Sequence, residues 1–378
     1  MSIRKKISRK RGDSVGSCRH HGGTSSRDLL DFSAPQNPLG TPEIIRELVR
    51  ESVAREDYSR YPDYTYRRLR EAIASFYKLD YESVVPLNGG SEALYILVLS
   101  LRPTSLVVFE PTFGDHRCLA ESLNLKIVSV PYIESGERYE FPIDRVDELR
   151  KTADRNSLFI LSHPNNPTGT ALSAKQVVRL LNALSEFVVV VDEAFFELCY
   201  LCDEVSALKL AKSYENLVVV RSLTKTYSIP GLRIGFLYTE NGDLLNAVES
   251  SRAPWNVNSI AEAVISEALE KYSSELRSFA EKSKAVIRKE STYLERGLRL
   301  LGIRVYSSTA PFLLVKHSTP TSEISKKLRE LRVVVRDAST YPYLTQYHAR
   351  VSVRLRSENE VLLGAYRRVV ENATPSES

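Results

Sequence analysis

R-S-L-T-K-T-Y-S-I-P-G-L-R-I-G, residues 221–235, sets Lys225 on a loop behind the apolar run Leu217–Val220. Ser222 and Thr224 flank the lysine, and Arg233 follows eight residues on. A lysine that carries a cofactor aldehyde as a Schiff base must lie in an ordered site, beside something that binds the cofactor's phosphate. Two hydroxyls and a guanidinium able to grip phosphate through two bonds would supply that anion site. The bland alternative is an exposed lysine in a Ser/Thr turn before a strand. Three upstream segments decide between the two.

In V-V-V-V-D-E-A-F-F, residues 188–196, four valines read as a buried strand with Asp192 at its carboxyl end. Ligands of open α/β sheets bind at that edge. A carboxylate there can pair with a protonated pyridine nitrogen, although Asp is also a common helix N-cap. In S-H-P-N-N-P-T-G, residues 162–169, Asn166 can donate to a ring phenolate oxygen, and N-P and T-G also simply make turns. L-N-G-G-S-E-A-L-Y, residues 87–95, runs from a short apolar strand through Gly89 and Gly90 into a helix. Such a helix start offers free N–H groups and a positive dipole end to a phosphate. One glycine-rich turn is weak; four segments in this order with one consistent ligand are strong.

From about residue 20 to 370 the chain resembles fold-type I pyridoxal-phosphate (PLP) enzymes of the class I/II aminotransferase group. The resemblance implies an α/β fold: a large domain on a mostly parallel, seven-stranded-type sheet, plus a smaller α+β domain. It implies PLP as cofactor, with Lys225 as the Schiff-base lysine, Asp192 on the pyridine nitrogen and Asn166 on the phenolate oxygen. Gly90, Ser91, Ser222 or Thr224, and Arg233 would hold the phosphate. Phe113, in E-P-T-F-G-D-H, matches the aromatic that stacks on the ring, and His116 a histidine behind the aspartate. Tyr61, in S-R-Y-P-D, matches a tyrosine that reaches the neighbouring subunit's cofactor, which implies a homodimer. One departure is Phe195, where many aminotransferases carry a tyrosine bonded to the phenolate oxygen.

Two branches of the group handle phosphorylated substrates: threonine-phosphate decarboxylases of cobalamin synthesis and histidinol-phosphate aminotransferases. The wording here is nearer the first. H-G-G (21–23), L-D-F-S (30–33), N-P-L-G (37–40), D-E-A-F with phenylalanine and P-W-x-V-N (254–258) all belong to it. That likeness implies a decarboxylase of L-threonine O-3-phosphate giving (R)-1-aminopropan-2-yl phosphate, bound through His21, Gly22, Asn166, Arg336 and Arg350. The alternative is transamination with 2-oxoglutarate as acceptor; a more distant one is a PLP-binding regulator without enzymatic activity. Two departures stand against the first branch. Six residues separate H-G-G from L-D-F-S, too few for the expected helix, and Pro35 replaces a substrate-contacting asparagine.

The substrate end also reads directly. R-V-S-V-R-L-R, residues 350–356, alternates as a strand with Arg350, Ser352, Arg354 and Arg356 on one face. The run Val333–Val335 ends in Arg336. A phosphate plus a carboxylate needs at least two strong cationic clamps, for which Arg336 and Arg350 are chosen; Arg356 reads as a solvated residue balanced by glutamates.

At 378 residues and 43% hydrophobic, the chain can bury one large α/β core and a second, smaller one. The divisions expected are a basic disordered tail (1–19), an arm on the small domain (20–45), a large cofactor domain (46–255) and a small domain (256–372). Net charge is +5, but residues 1–12 hold six basic side chains and no acid, so the remainder is close to neutral. A nucleic-acid partner is not expected. No apolar run is long enough for a membrane span and no hydrophobic leader is present, so a cytoplasmic enzyme is expected. Cys18, Cys118, Cys199 and Cys202 read as ordinary thiols in a reducing compartment, and no metal site is expected from the lone C-x-x-C. Residues 374–378 read as a frayed tail.

Overall fold

The structure, a computed structural model, describes residues 21–24, 26, 28–202 and 206–371. The readings of the basic tail, Cys18 and residues 374–378 lie outside the described residues. Strand β1 (Leu30–Asp31) leads through a proline-rich turn to helices α1 (Glu43–Ala54) and α2 (Arg67–Tyr77). Next come β2 (Val84–Leu87), α3 (Gly90–Leu101), β3 (Ser105–Glu110), α4 (Gly114–Leu123) and β4 (Lys126–Pro131). A hairpin of β5 (Ile133–Ser135) and β6 (Arg138–Glu140) precedes α5 (Val146–Thr152), β7 (Ser157–Ser162) and α6 (Ala174–Ala183). Then follow β8 (Val188–Asp192), β9 (Leu217–Ser222), α7 (Leu223–Thr226) and β10 (Gly235–Tyr238). Three helices, α8 (Gly242–Ser251), α9 (Ser259–Lys271) and α10 (Ser273–Leu300), lead away from this part. The chain ends with β11 (Arg304–Val305), β12 (Phe312–Lys316), α11 (Thr321–Glu330), β13 (Val333–Val334), β14 (Arg336–Asp337), β15 (His348–Ser352) and α12 (Arg356–Glu371).

The central sheet has the order β2-β10-β9-β8-β7-β3-β4, and only β10 runs antiparallel to its neighbours. Its inner strands are unbroken runs of Val, Leu, Ile and Phe because helices cover both faces, which removes any polar alternation. In β8, Val189 and Val191 enter one core cluster and Val190 the other. The register aligns Asp192 with Ser162, and Ser222 with Gly235, so the residues that follow these strands gather at one edge. The fold is the α/β class expected, with a mostly parallel sheet of seven strands.

The second sheet, β11-β12-β15-β14, is antiparallel. Leu294 and Leu298 of α10, Leu328 of α11 and Tyr366 of α12 bury one of its faces. The arm joins this part: β1 pairs in parallel with β13, and Phe32 is fully buried in the same cluster.

Three local expectations need correction. Lys225 lies on the single helical turn α7 rather than on a loop. The arginine strand stops at Ser352. The Asn359 side chain accepts from Arg354 N–H (3.2 Å) and donates to Arg354 C=O (2.7 Å), turning the chain into α12. Arg356 therefore opens a helix, paired with Glu290 at 3.0 Å. Cys199 and Cys202 form a disulfide rather than two thiols, and no described cysteine is free. The turn after Phe196–Leu198 brings their Cα atoms within 5.4 Å, a normal bridging distance.

Candidate active site

A cavity of about 280 Å³ opens at the carboxyl edge of the central sheet, where β7, β8 and β9 end. Lys225 lies in it on α7. Burial first, then the Arg350 and Arg233 charges, pull its amine down to about 8, against the opposing pull of Asp192. A substantial fraction of this amine is therefore neutral near physiological pH, as a nucleophile requires.

At one end of the cavity the donors for an anion converge. Ser222 Oγ and Thr224 Oγ1 stand 2.6 Å apart. Gly90 and Ser91 open α3, whose N-terminus has no side-chain cap, so its first N–H groups and dipole face the cavity. Arg233, at φ 54°, reaches across to donate to Asn88 C=O at 3.4 Å and has no acidic partner among the described residues. Gly89 permits this approach: at φ 77°, any Cβ there would lie 2.5 Å from Arg233 Nη2.

Across the cavity, Asp192 ends β8. Its Oδ1 accepts from Ala194 N–H at 3.0 Å, and its Oδ2 lies 3.7 Å from Nε2 of the fully buried His116. Phe113 lines the cavity and meets His116 edge-on. Phe195 packs beneath the lysine, with Nζ 5.4 Å from its ring centre, so the position that carries a tyrosine elsewhere provides a cation–π contact here.

Arg350, on β15, closes the third side. It is 4% exposed and donates to Asn166 Oδ1 (2.5 Å), Ser33 C=O (2.6 Å) and Tyr341 Oη (3.2 Å). Burial lowers its pKa, and no acid among the described residues forms an ion pair with it. A buried guanidinium without a counter-ion is costly unless a ligand brings the charge. With Oδ1 of Asn166 committed to Arg350, its amide N–H2 remains to donate.

The arm supplies the mouth. His21 Nε2 is 2.9 Å from Asp115 Oδ1 at the start of α4, and its ring lies 5.5 Å from that of Phe113. Burial pushes the Asp115 carboxyl up, but hydrogen bonds and charge from His21, with help from His116 and Ser91, hold it below the usual carboxylate value. Gly22 is fixed by space: a Cβ would sit 1.9 Å from Ser33 C=O. Among the described residues between Gly23 and Leu30 there is no helix, as the short spacer requires.

The structure thus gathers Lys225, Asp192, Gly90, Ser91, Phe113, Asn166, Ser222, Thr224, Arg233, His21, Gly22 and Arg350 around one cavity. Two others are elsewhere. Arg336 lines a smaller neighbouring cavity, which shares His21, Phe113 and Tyr341 with the first. Tyr61 is 78% exposed on the outer surface, its ring 4.4 Å from that of Trp255. Sequence reasoning missed Asp115 and Tyr341. Asp115 lay within a quoted segment, but nothing local marks it as His21's partner; Tyr341 lies in a turn with no periodic signal. No cluster of three or more His, Cys, Asp or Glu among the described residues could hold a metal, and none of the described helices is long and apolar enough to cross a membrane.

A sequence model for aminotransferase class I and II matches residues 27–365. The chain is 31% identical over 339 residues to a putative threonine-phosphate decarboxylase of Caldanaerobacter subterraneus subsp. tengcongensis, covering 89% of each protein. It is also 31% identical over 331 residues to a histidinol-phosphate aminotransferase of Chlorobaculum tepidum, covering 87% of this chain and 90% of that one. The crystal structure of the histidinol-phosphate aminotransferase from Clostridium acetobutylicum superposes with a TM-score of 0.82 at 26% identity, covering 91% of this chain and all of the other.

Proposed function

The chain belongs to the aminotransferase class I and II family of PLP-dependent enzymes, and from that premise we propose that it decarboxylates L-threonine O-3-phosphate to (R)-1-aminopropan-2-yl phosphate. The observation that carries the proposal is Arg350, a buried cation without an acidic partner among the described residues, in the same cavity as Lys225. It calls for a substrate carboxylate beside the reacting carbon. His21 at the mouth and Arg336 beyond it make a second cationic zone suited to a phosphate. The H-G-G wording of the arm favours the decarboxylase branch.

The residues present fit the cofactor: hydroxyls, helix N–H groups and a guanidinium at one end, and a carboxylate at the other. Ser222, Thr224, Arg233, Gly90 and Ser91 would hold its phosphate, Phe113 would cover its ring, and Asn166 would donate to its ring oxygen. Asp192 would keep a proton on the pyridine nitrogen. Bound PLP supplies an electron-withdrawing ring that stabilises negative charge on the substrate's α-carbon. Arg350 fixes the carboxylate, and with His21 and Arg336 on the phosphate the α-carbon substituents take one orientation. That orientation would decide which bond of the α-carbon is placed for cleavage. Lys225, with its lowered pKa, delivers the proton to the carbon that carbon dioxide leaves.

Exposed Tyr61 fits a role across a two-fold interface, reaching the phosphate in the partner subunit of a homodimer. The division into arm (20–45), cofactor domain (46–255) and small domain (256–372), and a cytoplasmic location, belong to the same reading. Histidinol-phosphate transamination is the second reading, favoured by Pro35 at the substrate-facing end of the cavity and by the equal identity to a relative of that name. Incubation with phosphothreonine alone, and with histidinol phosphate plus 2-oxoglutarate, separates the two. Carbon dioxide in the first mixture supports the proposal; glutamate in the second, with no carbon dioxide in the first, overturns it.

A further inference from the structure

Tyr341 touches both arginines and lines both cavities, yet belongs to none of the segments quoted above. It follows the short helical turn Ala338–Thr340 and is 7% exposed. The Arg336 guanidinium lies over its ring at 5.2 Å, while Arg350 Nη1 donates to its hydroxyl oxygen at 3.2 Å. Arg336 is itself tethered by a 2.8 Å bond to Thr340 Oγ1. The ring is therefore clamped between two cations that sit opposite each other in the β14–β15 register.

The hydroxyl's hydrogen is what matters. A guanidinium is donor-only, so the phenolic oxygen accepts from Arg350 and its O–H must find an acceptor elsewhere. None of the described residues takes it. The hydroxyl sits beside a buried guanidinium that itself lacks a counter-ion, so one negatively charged group on the cavity side would satisfy both.

We infer that Tyr341 is a substrate-binding residue whose hydroxyl donates to the carboxylate held on Arg350, and whose ring keeps that carboxylate apart from the anion bound near Arg336. The inference rests on the reading of Arg350 as the carboxylate clamp. It makes the site selective for α-amino acids over amines of otherwise equal shape.

The test uses holoprotein reduced with borohydride, which binds ligands without turning them over. Calorimetric titration compares phosphothreonine with 1-aminopropan-2-yl phosphate, which lacks only the carboxylate, in the wild type and Tyr341→Phe. Loss of one hydrogen bond to a charged group should weaken phosphothreonine about tenfold or more and leave the amine within twofold. Equal losses for the two ligands, or no loss for either, overturn the inference. If the wild type binds neither, the proposed substrate is wrong. Glutamate against 4-aminobutyrate, its α-decarboxylated counterpart, then carries the same comparison, and a carboxylate-selective loss still upholds the role of Tyr341.

Discussion

The amine of Lys225 should show its altered environment before any substrate is present. Burial and the Arg350 and Arg233 charges bring it from an ordinary 10.5 to about 8. At pH 7.5 about a quarter of such amines are neutral, against about one in a thousand for an unperturbed lysine, a gain of about 200-fold in nucleophile. The sign follows from the titration: the neutral form reacts with an aldehyde, so capture speeds up as pH rises and levels off once the amine is deprotonated. Stopped-flow absorbance of apoprotein mixed with PLP should show a rate that climbs between pH 7 and 8 and is flat from about 9. Arg350→Met removes a charge that lowers the pKa, so its midpoint should move up; Asp192→Asn removes one that raises it, so its midpoint should move down. Lys225→Arg should show no such phase. A rate that still climbs tenfold per unit through pH 10 would refute the reasoning.

Tyr61→Phe should leave the fold and thermal midpoint unchanged while the protein loses cofactor on dilution more readily, as read by gel filtration and visible absorbance; full retention of cofactor by a monomer contradicts the shared site. Arg350→Ala should cost about 3 kcal/mol in kcat/KM for the carboxylate-bearing substrate, because a buried charge loses its clamp. Arg336→Ala should act more weakly and mainly on KM, since that arginine lines the neighbouring cavity and not the one that holds Lys225. For Asn166→Ala, with only Phe195 at the usual tyrosine position, the pH midpoint of the cofactor's visible band should rise by about one unit; an unmoved midpoint shows that another donor serves that oxygen.

The parts legible in the sequence were those fixed by local chemistry. Four valines before Asp192 read as a strand buried on both faces, and the edge where such a strand ends is where a parallel sheet receives ligands. Gly89 and Gly90 before α3 and the hydroxyls around Lys225 are short-range signals that survive folding intact. Distant approaches leave no such mark. Asp115 meets His21 only because β1 pairs with β13 and carries the arm across the site. Tyr341 reaches Arg350 because a turn folds back over β15. The alternation of 350–356 misled because Arg354 and Arg356 keep the period of a strand that Asn359 ends. Two cysteines three residues apart carry no sign of pairing until the turn that joins them is known.

One mass-spectrometric measurement joins the lysine to the reaction. Holoprotein reduced with borohydride and digested should carry the phosphopyridoxyl group on the peptide containing Lys225. When unreduced holoprotein is first exposed briefly to phosphothreonine, without any oxo acid, and only then treated with borohydride, the label should be missing from that peptide and appear as the adduct of a three-carbon amine phosphate lacking the carboxylate. Label on another lysine would contradict the account of the site, and pyridoxamine phosphate in place of that adduct would contradict decarboxylation.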